Sequence, residues 1–220
     1  MKRRIPLERA LTALAALVLT LVVAPERLAG QGPAGAGPKK PDLPLTAARK
    51  ISFTTSKASW MSLDVSPDGQ SIVFDLLGDL YTLPVTGGKA TRLTSGMGYD
   101  VQPRFSPDGK RIVFVSDRSG GENIWLMSLD KKDTTQLTKG MSELYVSPEW
   151  TPDGQYVIAS KSTSLFGAAK LWMYNVDGGT GIALISAPPQ LKTLGAAFGP
   201  NGRYVYYAQR QGDWSYNAIF

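Results

Sequence analysis

One four-residue turn is written into this chain four times, and it constrains the fold more tightly than anything else in the sequence. Ser66-Pro67-Asp68-Gly69, Ser106-Pro107-Asp108-Gly109 and Thr151-Pro152-Asp153-Gly154 are followed by the degenerate Gly199-Pro200-Asn201-Gly202, with closing glycines 40, 45 and 48 residues apart. Proline presets φ at the second turn position, aspartate hydrogen-bonds its own backbone, and glycine takes the positive φ that a Cβ resists. Asn201 keeps the chemistry of the aspartate it replaces. Each turn is entered from an apolar residue (Val65, Phe105, Trp150, Phe198). Each is left through a β-rich run: Ser71-Ile72-Val73-Phe74, Arg111-Ile112-Val113-Phe114-Val115, Tyr156-Val157-Ile158-Ala159 and Arg203-Tyr204-Val205-Tyr206-Tyr207.

A third strand reads out of Asp79-Leu80-Tyr81-Thr82-Leu83, Asn123-Ile124-Trp125-Leu126-Met127 and Lys170-Leu171-Trp172-Met173-Tyr174. Turns follow at Thr86-Gly87-Gly88, Leu129-Asp130-Lys131-Lys132 and Asp177-Gly178-Gly179, and then a fourth strand, clearest in Ala90-Thr91-Arg92-Leu93-Thr94 and Thr135-Gln136-Leu137-Thr138. Four short antiparallel strands every 40 to 45 residues or so is the period of a β-propeller blade. The sequence therefore predicts an all-β fold, a partial β-propeller of about three and a half four-stranded antiparallel blades. The blades run over residues 60–94, 101–138 and 146–186, with two strands of a fourth from residue 194 onward. Propellers close with roughly four to eight blades. The expectation is that residues 51–220 are a propeller incomplete at its C-terminus, the N-terminal part of a longer protein.

Charge divides the chain at the same place. There are 24 basic and 18 acidic side chains, with no histidine and no cysteine, which excludes a Ser/His/Asp triad, a Cys nucleophile and His- or Cys-built zinc sites. The surplus of +6 lies within residues 1–50, and residues 51–220 carry 15 charges of each sign. A neutral body without basic patches interleaved with aromatics gives no case for nucleic acid as a partner. At the front, Lys2-Arg3-Arg4 precedes an uncharged apolar stretch from Ala10 to Ala24. That stretch is shorter than the roughly 20 residues of a membrane span and has the length of a secretory h-region. Residues 1–30 are accordingly read as a signal peptide helix, with an uncleaved N-terminal anchor as the alternative. Cleavage is read at Val22-Val23-Ala24, where Pro25 disfavours it, or at Ala34-Gly35-Ala36. Residues 31–50, rich in Gly, Pro and Ala, are read as a flexible linker. The implied location is periplasmic or extracellular, for a fold that holds without disulfides and has no stable membrane span.

The repeats resemble the WD40-like, Pro-Asp-Gly propeller of TolB and its relatives from residue 60 to about 210. Trp60-Met61-Ser62-Leu63-Asp64-Val65-Ser66-Pro67-Asp68-Gly69 and Phe74-Asp75-Leu76-Leu77-Gly78-Asp79-Leu80-Tyr81-Thr82-Leu83-Pro84 are similar to exported bacterial amidohydrolases. So are Arg104-Phe105-Ser106-Pro107-Asp108-Gly109 with Val115-Ser116-Asp117-Arg118-Ser119-Gly120-Gly121, and Trp214-Ser215-Tyr216-Asn217. In that family a TolB-like propeller precedes a (β/α)8 hydrolase domain whose histidines and carboxylates hold a divalent metal, zinc among the candidates. The resemblance implies a binding or gating module whose catalytic, cofactor and metal residues all lie outside this chain. Its partners would be that hydrolase domain and a peptide or protein ligand at the propeller channel. A non-enzymatic TolB-like periplasmic interaction propeller, and the propeller of a secreted prolyl oligopeptidase-type serine peptidase, are the alternatives.

No residue in the chain is assigned a catalytic, cofactor or metal role. Asp68, Asp108 and Asp153 occupy the same turn position in separate blades and read as turn formers. Asp64, Arg104 and Glu149 fall two residues before each turn motif, on the innermost strand, where a propeller lines its channel. They read as ion pairs between blades, with a ligand-contacting channel as the other possibility. Ser128-Leu129-Asp130-Lys131 has the Ser-x-x-Lys spacing of serine acyl-enzymes but sits at a predicted hairpin rather than a helix start. Trp125 and Trp172 recur at one point of the third strand, which points to packing between blades. Gly87-Gly88 and Gly178-Gly179 lack the strand-to-helix context of a phosphate loop.

Overall fold

The computed structural model describes residue 49 and residues 51–130, 133–164, 167–199 and 201–210. The expected signal peptide and nearly all of the expected linker lie outside the described residues, as do Lys131 and the segment from Trp214 to Asn217. The chain divides into residues 1–53 and 54–220, and every described strand belongs to the second unit.

Among its described residues that unit has fourteen strands in four antiparallel sheets, taken in chain order. The first is β1 (Leu63–Val65), β2 (Ser71–Leu76), β3 (Asp79–Pro84) and β4 (Thr91–Arg92). The second is β5 (Asp100–Phe105), β6 (Arg111–Ser116), β7 (Asn123–Ser128) and β8 (Thr134–Gln136). The third is β9 (Leu144–Trp150), β10 (Tyr156–Ser162), β11 (Lys170–Asn175) and β12 (Ile182–Ala183), and the fourth is the pair β13 (Lys192–Phe198) and β14 (Val205–Arg210). Within each sheet spatial order equals chain order, the meander of a propeller blade, and the three and a half blades read from the repeat are present.

The four repeated turns are the β1–β2, β5–β6, β9–β10 and β13–β14 connections, and their glycines take φ between 66° and 69°. Asp68 Oδ1 accepts the Gln70 amide at 3.0 Å, as the sequence requires, and also the Ser66 hydroxyl at 2.5 Å. That hydroxyl oxygen in turn accepts the Ser71 amide at 2.9 Å. Ser106 with Asp108 and Thr151 with Asp153 repeat the arrangement. The hydroxyl before the proline is thus part of the turn, and its bond holds all three aspartates below the usual carboxylate range. Gly199 has no hydroxyl, and that turn keeps the Asn201 Oδ1 bond to the Arg203 amide at 3.1 Å and the backbone bond from the Gly202 amide to Gly199 O at 2.8 Å.

Strand alternation then builds the core between blades. On β6, Ile112 and Phe114 pack with Val73 and Leu80 of the first blade, while Val113 faces the other way into Tyr145, Trp150, Val157 and Ala159 of the third. Ile158 and Leu171 continue the pattern onto Ala196, Phe198 and Val205. The apolar residue ahead of each turn is the one that seats a blade on its predecessor. Phe105 and Trp150 are 8% and 3% exposed, whereas Val65, at the same position of the first blade, is 46% exposed. Burying such a side chain is worth roughly 1.5–3 kcal/mol. Trp125 and Trp172 pack against these interfaces, as their recurrence predicted.

Candidate functional site

Of the innermost strands β1, β5, β9 and β13, the last three carry a feature that the repeat did not announce. Between Val101 and Arg104, Val146 and Glu149, and Leu194 and Ala197, the register with the second strand slips by one residue. Gln102 and Pro103, Ser147 and Pro148, and Gly195 and Ala196 are the bulged pairs, and the leading residues have φ of 56°, 51° and 61°. A left-handed backbone costs a residue with a side chain roughly 1–2 kcal/mol. Side chains reaching across from the preceding blade offset that cost. The Gln102 amide donates to Asp75 Oδ2 at 2.8 Å, and the Ser147 amide donates to Gln102 Oε1 at 2.6 Å. Asp75 Oδ1 also receives the Ser62 amide, so one carboxylate ties the first two inner strands together. The sequence signal for this collar was the Gln102-Pro103 and Ser147-Pro148 dipeptides two residues before the apolar seat, where proline cannot continue a ladder.

Just beyond the collar the structure brings Asp64, Arg104 and Glu149 together. Arg104 Nε stands 3.7 Å from Glu149 Oε2, an ion pair between the second and third blades. Arg104 Nη1 donates to Leu63 O at 2.7 Å, binding the same guanidinium to the first blade. Asp64 Oδ2 accepts the Phe105 amide at 2.8 Å, and its charge acts on Glu149. Burial dominates for Glu149 and pushes its carboxyl up to about 7, with Arg104 opposing and Asp64 adding to the shift. Trp150 Nε1 donates to Arg104 O at 3.1 Å, and the Arg111 guanidinium lies 4.8 Å from the centre of the Trp150 ring.

The collar and Arg104 border a cleft of about 510 Å³ whose walls include Trp60, Tyr99, Gln102, Glu122 and Ser147. Its acids also serve as anchors. Asp117 Oδ1 accepts the Tyr99 amide at 2.7 Å, and Glu122, raised by burial and by Asp117, is bonded to the Tyr145 backbone. The arrangement is suited to holding a segment by shape and charge.

The remaining sequence candidates are dispersed. Asp68, Asp108 and Asp153 stay in their separate turns. The Ser128 hydroxyl is bonded to the Asp130 carboxylate in its own hairpin. Gly87, Gly88, Gly178 and Gly179 are positive-φ turn residues.

The family model of the tricorn protease N-terminal β-propeller domain matches residues 50–217. The chain belongs to that family. Sequence relatives of this TolB-like propeller include an uncharacterized protein of Agrobacterium fabrum, 34% identical over 97 residues, 42% of this chain and 33% of that protein. The Tol-Pal system protein TolB of Helicobacter hepaticus is 33% identical over 121 residues, 52% of this chain and 28% of that one. Among solved structures, TolB from Acinetobacter baumannii superposes with a TM-score of 0.56 at 25% identity, over 69% of this chain and 38% of that one. The chain spans about a third of the length of these curated relatives. Among the described residues, no helix is long and apolar enough to cross a membrane.

Proposed function

We propose that this TolB-like propeller is the binding or gating module of an exported amidohydrolase-like enzyme, in which a separate hydrolase domain holds the divalent metal and the catalytic groups. The observation that carries the reading is the inner-strand constellation. Its charged side chains are committed to joining blades around a cleft, and its neighbouring motifs from Trp60 to Pro84 and Arg104 to Gly121 resemble those of exported amidohydrolases. In this role the collar and the Asp64–Arg104–Glu149 group set the shape and charge of the entrance through which a peptide or protein segment passes. The basic and apolar N-terminal pattern supports export to the periplasm or beyond. Reading the coding sequence past Phe220 tests the proposal. Further Pro-Asp-Gly blades followed by a strand and a His-x-His pattern are expected, and a stop codon in an intact genome would contradict it.

A second reading, a non-enzymatic periplasmic interaction propeller, is supported by the 33% identity to TolB of Helicobacter hepaticus. The same sequence would decide between them, since this reading requires propeller closure with no hydrolase domain.

A further inference from the structure

A second cleft of about 480 Å³ opens between the second and third blades. One wall is the outermost strand β8 and the residues after it, the other is the Asp177–Thr180 hairpin, and Tyr145, Tyr174 and Val176 form the floor. Three observations indicate what belongs in it.

The first is the free edge of β8. Ser128 donates its amide to Asp133 O and Leu137 donates to Ile124 O, so residues 133, 135 and 137 turn their backbone polar groups toward β7. Alternation then points the N–H and C=O of Thr134 and Gln136 outward, and among the described residues no strand pairs with that side. The second is the Tyr174 phenol. The residue is 3% exposed, and its buried hydroxyl makes no hydrogen bond of normal geometry, with the Tyr145 side chain acting on it as a polar neighbour. Burial pushes this phenol above its ordinary range, fixing it as a donor that lacks an acceptor. The third is charge. Lys139 and Lys161 stand at one end with Glu143, whose Oε2 is already capped by the Met141 and Ser142 amides, and Asp177 stands at the other. The Lys161 ammonium is 3.7 Å from Glu143 Oε1 and lies 4.7 Å from the Trp172 ring centre.

We infer that this cleft receives an extended peptide segment that pairs with the outer edge of β8, gives a carbonyl to the Tyr174 hydroxyl and places a carboxylate at the Lys139–Lys161 end. Strand addition draws affinity from main-chain hydrogen bonds and specificity from alternate side chains. Here apolar side chains face the tyrosine floor. The carboxylate-last orientation makes the added strand parallel to β8.

The probe is a fluorescein-labelled peptide, Val-Thr-Val-Thr-Asp with a free C-terminus, titrated against the full chain by fluorescence polarisation. Its twin, N-methylated at alternate residues, serves as the reference. The parent peptide is expected to bind at least about tenfold more tightly than the twin, because N-methylation removes the ladder bonds. Gln136→Pro removes an N–H that faces outward while sparing the β7 ladder, and it is expected to weaken binding about tenfold. Tyr174→Phe keeps the packing and should weaken binding about threefold, with thermal melts confirming that both variants fold. Equal binding of peptide and twin, no binding of either, or full affinity in Gln136→Pro would each overturn the inference.

Discussion

Replacing Glu149 by glutamine should stabilise the propeller above neutral pH, although the substitution deletes an ion pair. Burial raises this carboxyl from 4.5 to about 7. Each unit corresponds to about 1.4 kcal/mol between protonation states, so the ionised form costs the native state at most about 3.5 kcal/mol. The sign follows from the direction of the shift. The native protein holds the proton more tightly than the unfolded chain, so the Glu149 contribution is unpenalised below about pH 4.5. It then declines as pH rises and reaches its full cost above about 7. The Arg104 contact at 3.7 Å, between two side chains about 30% exposed and worth at most about 1 kcal/mol, is already contained in that net shift as the opposing charge. Arg104 is not stranded by its loss, because Leu63 O and Pro103 O still accept from it. Desolvation therefore wins, and after allowance for residual solvent Glu149→Gln should gain about 1–2 kcal/mol at pH 8. That corresponds to a rise in Tm of about 2–8 °C for a domain of this size, with no gain near pH 4.5. Thermal and urea melts at intervals from pH 4.5 to 8.5 read it out. A variant destabilised at pH 8, or one whose stability runs parallel to that of the parent at every pH, would refute the reasoning.

Ser106→Ala should cost about 1–2 kcal/mol in urea unfolding, because Asp108 and the Arg111 amide lose the fully buried hydroxyl that joins them. In the same variant the Asp108 carboxyl should titrate higher by NMR, since that hydroxyl is the main cause of its depression. Gly109→Ala should cost about 1–2 kcal/mol from its φ of 69° alone, since the new Cβ meets Pro67 Cδ at an ordinary 3.6 Å. Gly202→Ala should cost more than Gly109→Ala in parallel melts, because its Cβ would stand 2.9 Å from Pro152 Cγ. Gln102→Ala should cost about 2 kcal/mol, leaving the Ser147 amide without its acceptor while keeping the left-handed backbone at 102.

The repeat made the blades legible because turn chemistry and strand alternation are local: Pro67, Asp68 and Gly69 dictate a turn whatever surrounds them. Phe105 and Trp150 were legible only as the apolar residue that recurs before each turn, and the structure makes them seats between blades. What the repeat concealed lies between its copies. Ser66, Ser106 and Thr151 look like filler before a proline, yet their hydroxyls close each turn. The bulges at Gln102 and Ser147 depend on acceptors 27 and 45 residues away, which no local pattern carries. Asp64, Arg104 and Glu149 were found by position, and the expected ion pair formed between Arg104 and Glu149. Asp64 instead took a backbone amide, because Phe105 presents one to it at 2.8 Å.

The central claim is that β5 and β9 are each held to the blade before them by side chains that accept their backbone amides. Native-state hydrogen exchange at Gln102, Phe105 and Ser147 tests this most directly, since these amides donate to Asp75, Asp64 and Gln102 of the preceding blade. The account predicts protection at the level of the central β6 and β10 amides, lost at residue 147 alone in Gln102→Ala. Exchange at the rate of an exposed loop in the parent protein would contradict it.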